Sequence, residues 1–167
     1  MTEDQVDRRG RPGVIRQAYV VVCALLLAAV VVQFYLAAFG VFTAPAREHE
    51  SQFVLHLVNG RMVLPALMIL AVAGAALARA PGRLIGFTAL PIALIAGQTI
   101  LFLLAALTGS SPERTNVGGQ IVLGFHALNG LAILWTSIVL LRRARAFARA
   151  GRAAAVADRE SDLAGQR

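Results

Sequence analysis

Four long apolar runs, separated by short polar segments, dominate the pattern of hydrophobic and polar positions in this chain. The runs cover approximately residues 18–42, 53–77, 84–107 and 117–141. Each run is longer than the ~20 apolar residues that a helix needs to cross the hydrocarbon core of a bilayer. The pattern therefore predicts an all-α membrane protein whose four transmembrane helices form an up-down bundle within residues 14–141. Residues 1–13 are expected to be a polar tail, and residues 142–167 a basic and then mixed-charge tail.

Composition and charge both favour a membrane protein. Hydrophobic residues make up 57% of the 167 residues, and the mean hydropathy is +0.68, which is too apolar for a soluble domain. The net charge of +7 comes entirely from arginine, and the arginines flank the apolar runs instead of forming one patch. This distribution indicates membrane topology and argues against nucleic acid as a partner. Cys23 is the only cysteine, which excludes an intrachain disulfide and a cysteine-based metal site.

The positions of the arginines also predict the orientation in the membrane. Nearly all of them lie in the two tails and in the turn at residues 79–83, whereas the other two loops contain one arginine each. The positive-inside rule then places both termini in the cytoplasm, as expected for a multi-pass protein of a bacterial inner membrane. A secretory signal is the competing interpretation, because Ala44-Pro45-Ala46 has the small-x-small form of a cleavage site. The first apolar run exceeds the ~7–15 residues of a signal peptide, which favours an uncleaved helix.

A short polar motif occurs twice, in the outer parts of the second and fourth apolar runs. Each copy reads H-x-x-N-G, and a glutamine stands at a matching position in the preceding run. The paired positions are Gln33 and Gln98, His56 and His126, Asn59 and Asn129, and Gly60 and Gly130. These matches predict a parallel repeat of two helix pairs, a glutamine helix followed by a histidine helix. Chance similarity between Leu- and Ala-rich helices is the alternative, which the number of matched polar positions disfavours.

The repeat predicts a haem b site. Ionisable side chains at membrane depth are costly and are usually functional. Helices two and four are diagonal in a square bundle, and neighbouring axes ~8–10 Å apart leave roughly 11–14 Å across the diagonal. That gap has room for a flat macrocycle between two imidazoles, so we expect His56 and His126 to be the axial ligands of one haem iron.

The residues around the two histidines would complete this haem site. Gly60 and Gly130 lie four residues after each histidine, on the same helix face, where a porphyrin edge could pack. Arg61 could reach a haem propionate. The flanking amides are Asn59, Asn129, Gln33 and Gln98. For the glycines the alternative is close helix packing, and for the amides and Arg61 it is hydrogen bonding between helices without any cofactor.

The first predicted helix contains the string Gln33-Phe34-x-x-Ala37, and the next helix contains a histidine followed by a glycine four residues later. This pattern resembles a family of short bacterial four-helix integral membrane proteins of unknown function. That resemblance implies the fold over about residues 14–141 but no activity. More distantly, histidines on helices two and four are similar to the haem-binding four-helix units of b-type cytochromes and haem A synthase. The E-x-x-H-R string of the synthases is missing around His56, so the resemblance does not extend to haem A synthesis.

The leading hypothesis is a small b-type cytochrome for electron transfer or haem sensing, with an unidentified redox partner. Two histidine ligands fill both axial positions, so an electron carrier is expected and not an enzyme. The alternative is a structural or accessory membrane protein, a subunit or small transporter, without a cofactor. In helix three, a stripe of small residues opposite Gln98 could pack against a second copy in the bilayer and form a homodimer. The stripe consists of Gly86, Ala89, Ala93 and Ala96.

Overall fold

The computed structural model describes residues 3–43, 52–111 and 114–165, with the side chains of the first helix from residue 13 onward. Within these ranges the chain is helical apart from short turns, and no strand occurs there. The helices are α1 (Glu3–Thr43), α2 (Val54–Leu77), α3 (Gly82–Leu107) and α4 (Val117–Ala164). All four are long and apolar enough to cross a membrane. The prediction of an all-helical chain with four helices long and apolar enough to span a membrane is therefore confirmed for the described residues.

Two of the helices continue well beyond the apolar runs. α1 begins at Glu3, inside the expected N-terminal tail, and α4 extends to Ala164 through the basic segment. Residues 142–164 contain mainly alanine, arginine and other good helix formers and no proline, so the helix can continue once the chain has left the apolar layer. Hydropathy alone marks only the apolar part of such a helix.

Each helix packs against two of the others. α1 and α3 both contact α2 and α4, whereas no described Cα pair within 8 Å joins α1 to α3 or α2 to α4. The histidine-bearing helices α2 and α4 therefore lie across from each other. Because α1 and α3 pack between them, the side chains of α1 and α3 set the distance between α2 and α4.

The tightly packed core occupies the half of the bundle nearer the termini. Its largest buried side chains include Tyr19, Leu26, Met68 and Leu140, and the Tyr19 hydroxyl is 2.8 Å from Oγ1 of Thr88. Many apolar side chains on the outside of the helices are exposed, as expected where lipid would surround the protein. Toward the other end, the buried core stops at one level of the bundle. The core residues at this level are Val30, Leu64 and Ile133.

Specific local signals set the helix ends. At the α2–α3 turn, Arg79 has a φ of 54°, and the Ala80 amide donates to the Ala75 carbonyl at 3.0 Å, which closes the end of α2. At the start of α4, Oδ1 of Asn116 accepts a hydrogen bond from the Gly119 amide at 2.8 Å. Nδ2 of Asn116 donates to the Thr108 carbonyl at 2.6 Å, which ties the start of α4 to the end of α3.

One π-helical segment among the described residues, Asn59–Val63, interrupts α2 and begins three residues after His56. The Leu64 amide donates to the Asn59 carbonyl, five residues back. Pro65 supplies the physical reason, because it has no amide hydrogen and its ring would clash with the carbonyl of Arg61 in a regular α-helix. α4 has Trp135 at the matching position and stays α-helical, so the two histidine helices differ in backbone shape. Segments of this kind are frequent at functional sites.

Candidate functional site

A cavity of about 320 Å³ lies between the four helices, above the level where the buried core stops. Most of its lining is apolar, with a few polar groups pointing inward, and its volume falls in the range of ~300–1,000 Å³ typical of small-molecule sites. Val30, Leu64 and Ile133 lie at its core side. Its polar and glycine lining residues are Gln33, His56, Gly60, Arg61, Gln98, His126 and Gly130.

The two predicted ligand histidines meet in this cavity. The ring centres of His56 and His126 are 6.3 Å apart, and the ring planes are inclined by 56°. One metal ion bound at ~2 Å by a nitrogen of each ring would place the ring centres roughly 6 Å apart. Phe102 contacts His126 edge-on, with ring centres 5.1 Å apart. The separation of the rings is therefore one that a single metal ion could bridge.

In the first half of the chain, the predicted polar residues form one connected hydrogen-bond network. Nδ1 of His56 lies 3.2 Å from the Gln33 carbonyl, to which it can donate. Nε2 of Gln33 donates to the His56 carbonyl at 3.0 Å and approaches His56 Nε2 at 3.2 Å. Nδ2 of Asn59 donates to Gln33 Oε1 at 2.7 Å and to the Ala29 carbonyl at 3.0 Å. The network fixes the His56 ring, and it also places an amide on the nitrogen that would bind a metal.

The second half repeats part of this network. Nε2 of Gln98 donates to the His126 carbonyl at 3.1 Å, and Nδ2 of Asn129 donates to the Leu94 carbonyl at 2.7 Å. Leu94 precedes Gln98 by four residues, just as Ala29, whose carbonyl accepts the hydrogen bond from Asn59, precedes Gln33. Here, however, Nδ1 of His126 and Oε1 of Gln98 are buried without a hydrogen-bond partner. Nδ1 of the second histidine thus lacks the hydrogen bond that Nδ1 of the first one can make to a glutamine carbonyl.

The two glycines allow α1 side chains to approach closely. A Cβ atom on Gly60 would lie 2.8 Å from Gln33 Nε2, and one on Gly130 would lie 3.4 Å from Cζ of Phe34. The space beside each histidine is therefore already shared with α1, and both glycines remain in the cavity wall. Arg61 also lines the cavity, and its exposed side chain has no hydrogen bond or ion pair within the described part of the chain.

The structure brings all nine predicted site residues to this region and adds aromatic lining that the sequence reasoning missed. Phe102 was not among the predicted residues, although it lies four residues after Gln98 and so shares its helix face. Ile95 and Ala127 also line the cavity and carry no recognisable signal among the many apolar residues of their helices.

The cavity presents two imidazole groups, which is the number of protein ligands that a haem iron takes. Across the described ranges, no group of three or more His, Cys, Asp and Glu residues could hold a metal ion. A tetrahedral zinc site needs three or four such ligands, whereas a haem iron needs only two axial ones from the protein. The buried, unpartnered nitrogen of His126 is a further group that a ligand could satisfy. Metal or haem binding through Nε2 of His56 would require the Gln33 side-chain amide to move away from that nitrogen.

The fold and the cavity define a helical membrane protein with a histidine-lined site. Over residues 33–106 the chain matches the model of a family described as "Family of unknown function (DUF6220)". The match runs from Gln33 past Gln98 and includes the first histidine motif but not the second. No curated protein and no solved structure matches the chain. The expected resemblance to an uncharacterised family is confirmed over this part, while the similarity to cytochromes stays a prediction.

Proposed function

We propose that this protein is a small b-type membrane cytochrome that holds one haem b between His56 and His126 for electron transfer or haem sensing. One observation carries the proposal. Two imidazoles on opposite helices come within 6.3 Å of each other inside a cavity, at a distance that one metal ion can span. Ionisable groups at this depth in a membrane are costly without a function or a partner.

Each residue of the site has a defined part in this proposal. A bound haem would supply one-electron chemistry at its iron. His56 and His126 would bind the iron, and the Gln33 carbonyl can accept from Nδ1 of His56, which orients the ring as such outer contacts do in metal sites. Arg61, which has no ion pair among the described residues, brings a positive charge to the cavity wall, where it would stabilise a propionate. The apolar lining would keep water away from the iron.

The proposal includes an up-down bundle built from two repeated helix pairs. The repeat is supported by two hydrogen bonds that occur in both halves of the chain. In each half the glutamine donates to the histidine carbonyl, and the asparagine donates to the carbonyl of the residue four positions before the glutamine. The packing of each helix against its neighbours in sequence supports the same arrangement. We also propose that both termini are cytoplasmic in a bacterial inner membrane, because the arginines concentrate at that end.

Visible spectroscopy of the full-length protein tests the haem. The chain is expressed with a haem supply, purified in mild detergent and compared with three variants, His56→Ala, His126→Ala and His49→Ala. The wild type and His49→Ala should show a Soret band and low-spin α and β bands on reduction. Each of the other two should lose the low-spin spectrum, because an axial ligand is gone. A wild type without a Soret band, or equal spectra for all three variants, would refute the proposal.

A structural protein without cofactor is the second candidate, and the hydrogen bonds of the first helix pair favour it. Both ring nitrogens of His56 and the side chain of Asn59 already have partners within the protein. On that account the protein is colourless, and replacing the histidines, asparagines or glutamines lowers stability in proportion to the hydrogen bonds lost. The same purified samples therefore separate the two candidates.

A further inference from the structure

We propose that this protein binds a phosphate group in a second cavity, between α1 and α4 at the end of the bundle that carries the termini. This cavity has a volume of about 200 Å³ and lies far along both helices from the histidines. Its lining residues are Gln17, Val20, Arg145, Ala148, Arg149 and Arg152. The proposal does not depend on haem.

Helical spacing brings the three arginines to one side of α4. Arg145, Arg149 and Arg152 are separated by four and then three residues, so they lie on the same helix face. Ala148, on this face, is buried, and Val20 of α1 is buried opposite. The small alanine leaves a hollow between the helices, and the guanidinium groups surround it.

The positive charge of this cluster is not neutralised within the described part of the chain. Nη2 of Arg152 donates to Oε1 of Gln17 at 3.0 Å, and this partner is uncharged. Arg145 and Arg149 form no ion pair with any described carboxylate. Three like charges around one hollow repel each other, and an anion in the hollow would remove that cost.

A fourth arginine borders the same α1–α4 contact. Arg16 has its guanidinium carbon 4.8 Å from the centre of the Phe147 ring, and its Nε is buried without a hydrogen-bond partner. Gly151 leaves the space that this guanidinium occupies, because a Cβ there would collide with it. Guanidinium groups match phosphate oxygens in geometry, so the chemistry of the cluster selects a phosphate ligand over a simple halide.

The depth of the cavity identifies the two sources of such a phosphate. The fourth apolar run ends near Leu141, and at ~1.5 Å per residue Arg145 lies about 6 Å and Arg149 about 12 Å farther along the helix. The headgroup region extends roughly 5–7 Å beyond the hydrocarbon core, within reach of these long side chains. The ligand is therefore a phosphate anion, either the headgroup of an anionic phospholipid or free phosphate from the adjoining water.

Native mass spectrometry of the full-length protein in a neutral detergent tests the site. The wild type is titrated with phosphatidylglycerol and, separately, with phosphatidylcholine. The variant Arg145→Gln/Arg149→Gln removes two cavity arginines, and Arg142→Gln/Arg159→Gln is the matched control, with the same charge change on α4 outside the cavity. Circular dichroism and size-exclusion elution establish that each variant is folded.

The wild type and the control should retain one phosphatidylglycerol in preference to phosphatidylcholine. The cavity variant should bind it about 25-fold more weakly, at roughly fivefold for each arginine removed. If the double variant does not fold, Arg149→Gln alone replaces it, with an expected weakening of about fivefold.

Inorganic phosphate added at constant ionic strength distinguishes the two sources. Displacement of the lipid together with an increase in the thermal unfolding midpoint assigns the site to free phosphate, and persistence of the lipid assigns it to the headgroup. The proposal is overturned if the cavity variant and the control retain phosphatidylglycerol equally. It is also overturned if neither the lipids nor inorganic phosphate bind to the wild type or stabilise it.

Discussion

Asn59 and Asn129 occupy matching positions but make different numbers of hydrogen bonds, so replacing each with alanine should cost different amounts of stability. Asn59, only 8% exposed, donates to two acceptors, the Ala29 carbonyl and Gln33 Oε1. Asn129 donates to one, the Leu94 carbonyl. Each follows its histidine by three residues at the same end of the bundle, and Asn129 is half-buried where Asn59 is buried.

The size of the difference follows from the bonds that are lost. Hydrogen bonds between helices in membrane proteins contribute about 0.6 kcal/mol on average. Asn129→Ala should therefore lower the free energy of unfolding by roughly 0.6–1 kcal/mol. Asn59→Ala loses two bonds and also leaves Gln33 Oε1 without its donor, which adds about 1 kcal/mol or more, for a total of roughly 2–3 kcal/mol. The two variants should differ by about tenfold in the unfolding equilibrium constant.

Reversible unfolding in mixed micelles with increasing sodium dodecyl sulfate measures these free energies, with the fluorescence of Trp135, the single tryptophan, as the signal. Double-mutant cycles sharpen the comparison. Asn59→Ala and Gln33→Ala should couple by roughly 1.6 kcal/mol, because the double variant loses their shared bond only once and leaves no unpaired Gln33 Oε1. Asn129→Ala and Gln98→Ala should be additive, because no such bond joins them. Equal losses for the two asparagines, or equal coupling in the two cycles, would contradict this reasoning.

Three further predictions concern haem affinity, topology and self-association. Gln33→Met removes the amide that contacts a ring nitrogen of His56, so haem titration should show several-fold tighter binding. Gln98→Met, the control, should leave the haem affinity unchanged. Weaker haem binding by Gln33→Met would mean that the amide assists His56 as a ligand. Reporter fusions at Ser110 and Arg152 should give periplasmic and cytoplasmic signals respectively, and the reverse pattern would contradict the arginine-based orientation. Ala93→Phe should dissociate a detergent-stable dimer, because this exposed alanine belongs to the small-residue stripe of α3; a wild type that is monomeric in cross-linking and light scattering would exclude that dimer.

Some features of the site could be predicted because they depend on spacing along one helix. The intervals from His56 to Asn59 and Gly60 place all three residues near one helix face, and the same holds for His126 and its followers. Matching glutamines in the preceding helices predicted two helix pairs, each a glutamine helix followed by a histidine helix. Those glutamines do donate to the histidine carbonyls.

Other features depend on contacts between helices, which spacing does not specify. Nothing in the two matching motifs indicates that Gln33 contacts both ring nitrogens of His56 while Nδ1 of His126 is buried without a hydrogen-bond partner. The two halves also differ in backbone and in neighbours: α2 has a π-helical turn beside Pro65, and Phe34 lies beside Gly130 where Gln33 lies beside Gly60. A small change in helix shape shifts side chains by more than the tolerance of a hydrogen bond.

The sequence by itself determined the number of apolar helices, because the hydrophobic effect acts on each run independently of the rest of the chain. The sequence also determined which polar side chains, such as the histidines, asparagines and glutamines, lie at each position along the apolar runs. Only the tertiary structure decided how close the rings of His56 and His126 come, that the core ends where the cavity begins, and that the arginines of α4 meet α1 around a second cavity. These outcomes depend on how side chains from distant parts of the chain fill the space between helices, and a linear pattern carries no such volumes or distances.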